Sequence, residues 1–130
     1  MIGYAMVGSN DLPRAKQFYD GLFGAIGIGT LMEFPNGARA YGTDWTKPMF
    51  GIGAPHNGEP ATAGNGTMIA IPFEARDKVD SFHAKAMELG AADEGAPGVR
   101  GEEGEQAFYA AYFRDLDGNK LCAFRVGGPE

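Results

Sequence analysis

Apolar residues recur at helical spacing twice along this chain. Leu12, Ala15, Phe18, Tyr19 and Leu22 share one helical face, and Val79, Phe82, His83, Ala86 and Leu89 share another. A short apolar run precedes each. Tyr4 to Val7 reads as a strand before the first helix, where "SND" supplies capping side chains and Pro13 fits the first turn. Gly24 is placed to end that helix in a left-handed conformation. "IGTLMEF" and "ARAYG" then flank "PNG", a hairpin signal, and "MFGIG" reads as one more strand. The second half follows suit: "TMIAIPF" precedes its helix, Gly90 follows it, and "QAFYAAYF" and "NKLCAF" flank the turn "DLDGN".

Laying Tyr4 on Met68 puts Phe18 on Phe82, and the glycine- and proline-rich "APHNGEPATAGNG" lies between the halves. The pattern predicts an α+β fold in one domain, residues 1–130. It is made of two βαβββ units, about 1–54 and 67–130, joined by a linker at about 55–66. One unit cannot cover its own sheet. Two side by side would give a curved mixed sheet with helices outside and a concave face free for a ligand.

Composition narrows the function. The chain has 130 residues, 21 of them glycine and 8 proline, which suits short strands and turns better than long helices. A net charge of −6 opposes binding to phosphate backbones or anionic membranes, so neither nucleic acid nor membrane is an expected partner. Cys122 is the only cysteine, there is no signal-peptide pattern, and no run approaches the ~18 apolar residues of a membrane helix. These features predict a cytoplasmic protein.

Four segments, "NDLPRAKQFYDGLFG", "GTMIAIPF", "DEGAPGVRG" and above all "YAAYFRDLDGNKL", resemble the vicinal oxygen chelate superfamily. It contains glyoxalase I, extradiol dioxygenases, and fosfomycin- and bleomycin-resistance proteins. The resemblance spans essentially the whole chain and implies the paired-unit fold, a small-molecule ligand, and pairing into a homodimer. Enzymes of the family hold a divalent metal with His, Glu or Gln side chains. Carried over, those positions fall on Tyr4, Met68 and Cys122, with a fourth near Gly51. A phenol, a thioether, one thiol and a glycine are poor ligands for such cations, so no cofactor is expected and a divalent metal is disfavoured.

Other chemistry reads weakly. His56 lies in the linker, and His83 lies mid-helix, facing the outer side of the sheet. Cys122 has no sequence-local base or cation to activate it and reads as a small pocket-lining residue. "DLDGN" opens like a calcium loop, but Val126 stands where the bidentate glutamate belongs. "GAIGIG" follows a helix rather than joining strand to helix, so it is no dinucleotide loop. "RGEEGE" reads as a solvated acidic loop.

Strand alternation gives an expected ligand-binding lining of Tyr4, Met6, Met68, Phe108 and Cys122; the repeat matches Tyr41 to Tyr112, and the resemblance implies that both join that lining. Ala70, Ala110 and either Lys120 or Phe124 complete it, and Trp45 is on a nearby loop. The same aromatic stripe also fits plain core. Three functions follow. The first is a metal-independent binder of a flat or apolar organic molecule. The second is a glyoxalase-like lyase or isomerase with Tyr4, Tyr41 or Tyr112 as general acids or with an atypical metal site, and the third is a non-catalytic interaction protein.

Overall fold

A computed structural model describes residues 1–129. The element order is β1 (Tyr4–Gly8), α1 (Leu12–Gly24), β2 (Gly29–Glu33), β3 (Arg39–Gly42), β4 (Met49–Gly53), β5 (Ile69–Pro72), α2 (Arg76–Glu88), β6 (Ala92–Arg100), β7 (Phe108–Arg114) and β8 (Lys120–Val126). This is the expected pair of βαβββ units. The strands form two separate four-stranded sheets, β1-β4-β3-β2 and β5-β8-β7-β6, rather than one continuous curved sheet. In each, the first and last strands of the unit run parallel and the other pairs antiparallel.

Local chemistry sets the helix ends. The Asp11 side chain accepts from the Arg14 backbone N–H, and a proline occupies the first turn of α1. Gly24 remains inside α1, and the positive backbone angle falls instead at Gly27 (φ 76°), three residues on. β6 goes beyond the strand signals of the sequence. Glycine, proline and acidic residues mask it, and such residues are tolerated because β6 is an edge strand with register shifts at Gly95.

Both helices and the inner faces of both sheets meet in a single core. A chain of ring contacts crosses it: Tyr19 to Phe23 at 5.7 Å, Phe23 to Phe82 at 6.4 Å, and Phe82 to Phe113 at 6.0 Å. The "DLDGN" turn is a joint between the units. Its buried Asp115 accepts from the Tyr19 hydroxyl at 2.5 Å and from the backbone N–H groups of Asp117 and Asn119, both at 2.9 Å. The Asn119 amide donates to Asp115 and across to the Gly8 carbonyl, both at 2.9 Å. Arg14 reaches the Leu116 carbonyl at 3.1 Å, and the Asn10 N–H donates to Asp117 at 3.0 Å.

Removing one partner of a buried hydrogen-bonded group strands the others without water. Asp115→Ala should therefore lower the unfolding free energy by about 3 kcal/mol, and Tyr19→Phe by about 1–2 kcal/mol. Urea denaturation of the three proteins measures both. A loss under about 1 kcal/mol for Asp115→Ala would show that the joint is dispensable.

Candidate functional site

Each sheet turns one face to the shared core and leaves the other free of helices. On unit one, alternation along β1 puts Tyr4 and Met6 on the helix-free face, opposite Met49 and Gly51 of β4. They line a cleft of about 320 Å³ together with Phe34, Asn36, Ala38, Arg39, Ala40 and Trp45. Trp45 reaches it from the β3–β4 loop. The cleft is open, with Tyr4 at 68% and Met6 at 52% of full exposure. All of its lining comes from unit one.

Tyr41 is not on that face, which corrects the expected lining. It is buried in the core with its ring 5.2 Å from Phe23, and its hydroxyl donates to the Asp20 carboxylate at 2.7 Å. Burial first, then that carboxylate, pushes its pKa well above the usual phenol value. Ala40 pairs with Gly51, just as Tyr112 pairs with Cys122. Ala40 is thus the counterpart of Tyr112, and Tyr41 that of the buried Phe113. Matching Tyr41 to Tyr112 was off by one residue, and in a strand one residue moves a side chain to the opposite face. Both faces of β3 hold apolar residues, so the sequence alone did not reveal the slip.

On unit two the alternation follows expectation. Phe108, Ala110 and Tyr112 share the helix-free face of β7 with Lys120, Cys122 and Phe124 of β8, while Phe113, Leu121 and Ala123 enter the core. Phe108 stacks on Phe124 at 5.5 Å. Met68, just before β5, is exposed, and Ala70 pairs with Cys122. Cys122 itself is buried. Burial pushes its thiol up, although the Tyr112 hydroxyl bonded to it and the cations Arg100 and Lys120 pull the other way. Burial, followed by Cys122, likewise raises Tyr112, so its hydroxyl keeps its proton. Arg100, at the end of β6, escaped the sequence reasoning because the glycines and proline before it hide the strand that carries it. Its guanidinium carbon lies 5.4 Å from the Tyr112 ring centre, and the Lys120 ammonium lies 5.4 Å from the same ring.

The residues at the metal positions implied by the resemblance do not fit a divalent cation. Tyr4 and Gly51 belong to one sheet, whereas Cys122 lies in β8 of the other and Met68 just precedes its β5. The set offers one phenol, one thioether and one protonated thiol. Among the described residues no three His, Cys, Asp or Glu side chains are grouped to hold a metal. His83 is engaged elsewhere, its Nε2 lying 3.1 Å from Asp93 and its ring against Phe113. His56 lines a separate groove beside the linker.

Residues 1–123 match the family model for the Glyoxalase/Bleomycin resistance protein/Dioxygenase superfamily. No curated protein matches significantly. Among solved structures, the chain is similar to a glyoxalase/bleomycin resistance protein from Albidiferax ferrireducens T118, at 39% identity and a TM-score of 0.84, covering 96% of this chain and 98% of that one. A glyoxalase/bleomycin resistance protein/dioxygenase family enzyme from Burkholderia phytofirmans PsJN shares the fold at 21% identity and a TM-score of 0.71, covering 95% and 97%. So does the lactoylglutathione lyase from Agrobacterium tumefaciens, at 18% identity and a TM-score of 0.65, covering 96% and 92%.

Because the thiolate is the nucleophile, a raised thiol pKa means less reactive cysteine at neutral pH. Iodoacetamide should alkylate Cys122 at least about tenfold more slowly than free cysteine at pH 7.5. The rate should climb with pH to a midpoint above that of the free amino acid. Mass spectrometry of timed reactions measures both, and a midpoint below free cysteine would overturn the assignment of Cys122 as inert.

Proposed function

The chain belongs to the Glyoxalase/Bleomycin resistance protein/Dioxygenase superfamily, and we propose that it binds a small organic molecule on its helix-free sheet faces without the divalent metal typical of that family. The observation that carries this reading is the open aromatic cleft on unit one, rimmed by Tyr4, Phe34 and Trp45 and floored by Met6, Ala40 and Gly51. Flat rings and thioethers suit an apolar or aromatic ligand. The donor set at Tyr4, Met68, Cys122 and Gly51 supports the metal-independent part.

The working form is a homodimer. Tyr4, Met6, Met32, Phe34, Trp45 and Met68 are exposed apolar residues on or beside the open faces, and a second copy would cover such surface. No described helix is long and apolar enough to cross a membrane. The lone cysteine supports a reducing, cytoplasmic setting.

A lyase or isomerase is the second reading. It is favoured by Tyr112, a protonated acid on the helix-free face of unit two with two cations beside it. Hemithioacetal turnover tests it, and an unchanged rate in Tyr112→Phe would remove the acid.

Trp45 is the only tryptophan, so its emission reports the cleft directly. Saturable quenching by 2-naphthamide, weakened at least about fivefold in Trp45-preserving Met6→Glu, is the expected result. Absence of quenching with every aromatic probe would sink the binding reading. Stoichiometric metal retained through mild chelation would sink the metal-free part. Sedimentation at micromolar concentration should give a two-chain species that Met6→Glu dissociates, and a monomeric parent protein would remove the dimer.

A further inference from the structure

The two open faces differ in charge. Seven of the chain's 11 lysines and arginines are ion-paired with carboxylates: Arg14, Lys16, Arg39, Lys47, Arg76, Lys85 and Arg114. Two of the others, Arg100 and Lys120, flank Tyr112 on the helix-free face of unit two. Among the described residues neither is paired with a carboxylate. In a protein of net charge −6, two cations placed against one ring, neither in an ion pair with a carboxylate, stand out from the overall charge.

Arg100 is also held in place. Its guanidinium folds back along β6 and donates to the Gly98 and Ala96 carbonyls, each at 2.8 Å. Two glycines make room for it. A Cβ at Gly95 would stand 3.0 Å from an Arg100 terminal nitrogen and 3.1 Å from the Tyr112 ring, and one at Gly98 would stand 3.3 Å from the other terminal nitrogen. Neither glycine has a positive φ, and a side chain at either would make the guanidinium give by a few tenths of an ångström, at Gly95 with the Tyr112 ring as well. A guanidinium offers five N–H donors, and the two carbonyls leave others free for a ligand. Phe108 stacked on Phe124 supplies an aromatic platform on the same face.

We propose that the helix-free face of unit two is an anion-selecting subsite, taking the carboxylate of an aromatic acid between Arg100 and Lys120 with its ring against Tyr112 and the Phe108–Phe124 stack. This rests on the small-molecule reading above and adds the sign of the ligand's charge. The Tyr112 ring shapes the subsite, while the cations against it neutralise the incoming group. Binding here weakens with salt, since the Coulombic attraction is partly screened.

Three probes with one ring system separate the possibilities: 2-naphthoate, 2-naphthamide and 2-naphthylmethylamine, titrated into the intact protein with amide chemical shifts of Tyr112, Cys122 and Phe124 as readout. The naphthoate should bind at least about tenfold tighter than the amide, and the amine most weakly. Arg100→Gln and Lys120→Gln should each narrow the naphthoate-to-naphthamide ratio at least about threefold. Gly95→Ala, which displaces the guanidinium while keeping its charge, should narrow it too. Melting temperatures within a few degrees of the parent protein confirm that each variant is folded. Naphthoate and naphthamide binding equally would overturn anion selection and leave the small-molecule reading standing. The amine binding tightest, or a ratio unchanged in both charge variants, would also overturn it. Failure of all three probes to shift these amides would overturn the subsite, while Trp45 quenching decides the unit-one cleft separately.

Discussion

The Asp115 carboxyl group sits where the β7–β8 turn of unit two meets α1 and β1 of unit one, and the arrangement of the two units depends on it. A buried carboxyl group is costly unless its oxygens are satisfied, and here one turn and one tyrosine satisfy them. Two of its partners extend the joint. Tyr19 is itself central to the aromatic core, and Asn119 passes the connection on to the β1 backbone at Gly8. Burial and the neighbouring Asp115 raise the Tyr19 pKa well above the usual phenol value, so its hydroxyl remains a donor. The turn is thus a linkage between units as well as a hairpin closure.

That linkage commits the inner faces of both sheets to one core and leaves two faces open. The open faces have diverged. On unit one, small residues at Ala38, Ala40 and Gly51 leave a hollow beneath Tyr4 and Trp45. On unit two, Tyr112 and Cys122 fill the equivalent positions, and Arg100 and Lys120 close over the tyrosine. A duplicated unit therefore presents a cleft on one side and a charged aromatic surface on the other. The difference comes down to a few side chains at matching register.

Much of the scaffold was legible in the chain. The helical stripes at Leu12–Leu22 and Val79–Leu89 survive as α1 and α2 because both are one-sided, with a core on one face and water on the other. Strand β4 matches its apolar run to the residue. Strand β6 was hidden because glycine and proline ordinarily mark loops, and an edge strand escapes that rule by needing only one set of ladder bonds. Tyr41 was misplaced for a different reason. A repeat alignment anchored on the helices does not fix strand register, and neighbouring residues of a strand point in opposite directions. Arg100 went unseen because its position depends on contacts with Gly95, Gly98 and Tyr112, which come together only when β6 pairs with β7.

By itself the sequence determined the unit and its duplication. These depend on local periodicity, turn chemistry and residue type, which need no partner to be read. Tertiary structure alone decided that the strands form two sheets around one core, that Tyr41 belongs to that core, and that the buried Cys122 pairs across strands with Tyr112. It also decided that two cations meet at one ring. Those features depend on register and on contacts between residues far apart in the chain, such as Gly8 with Asn119 or Tyr19 with Asp115. A pairing shift of one residue reverses which face a side chain serves, and only the folded sheet fixes it.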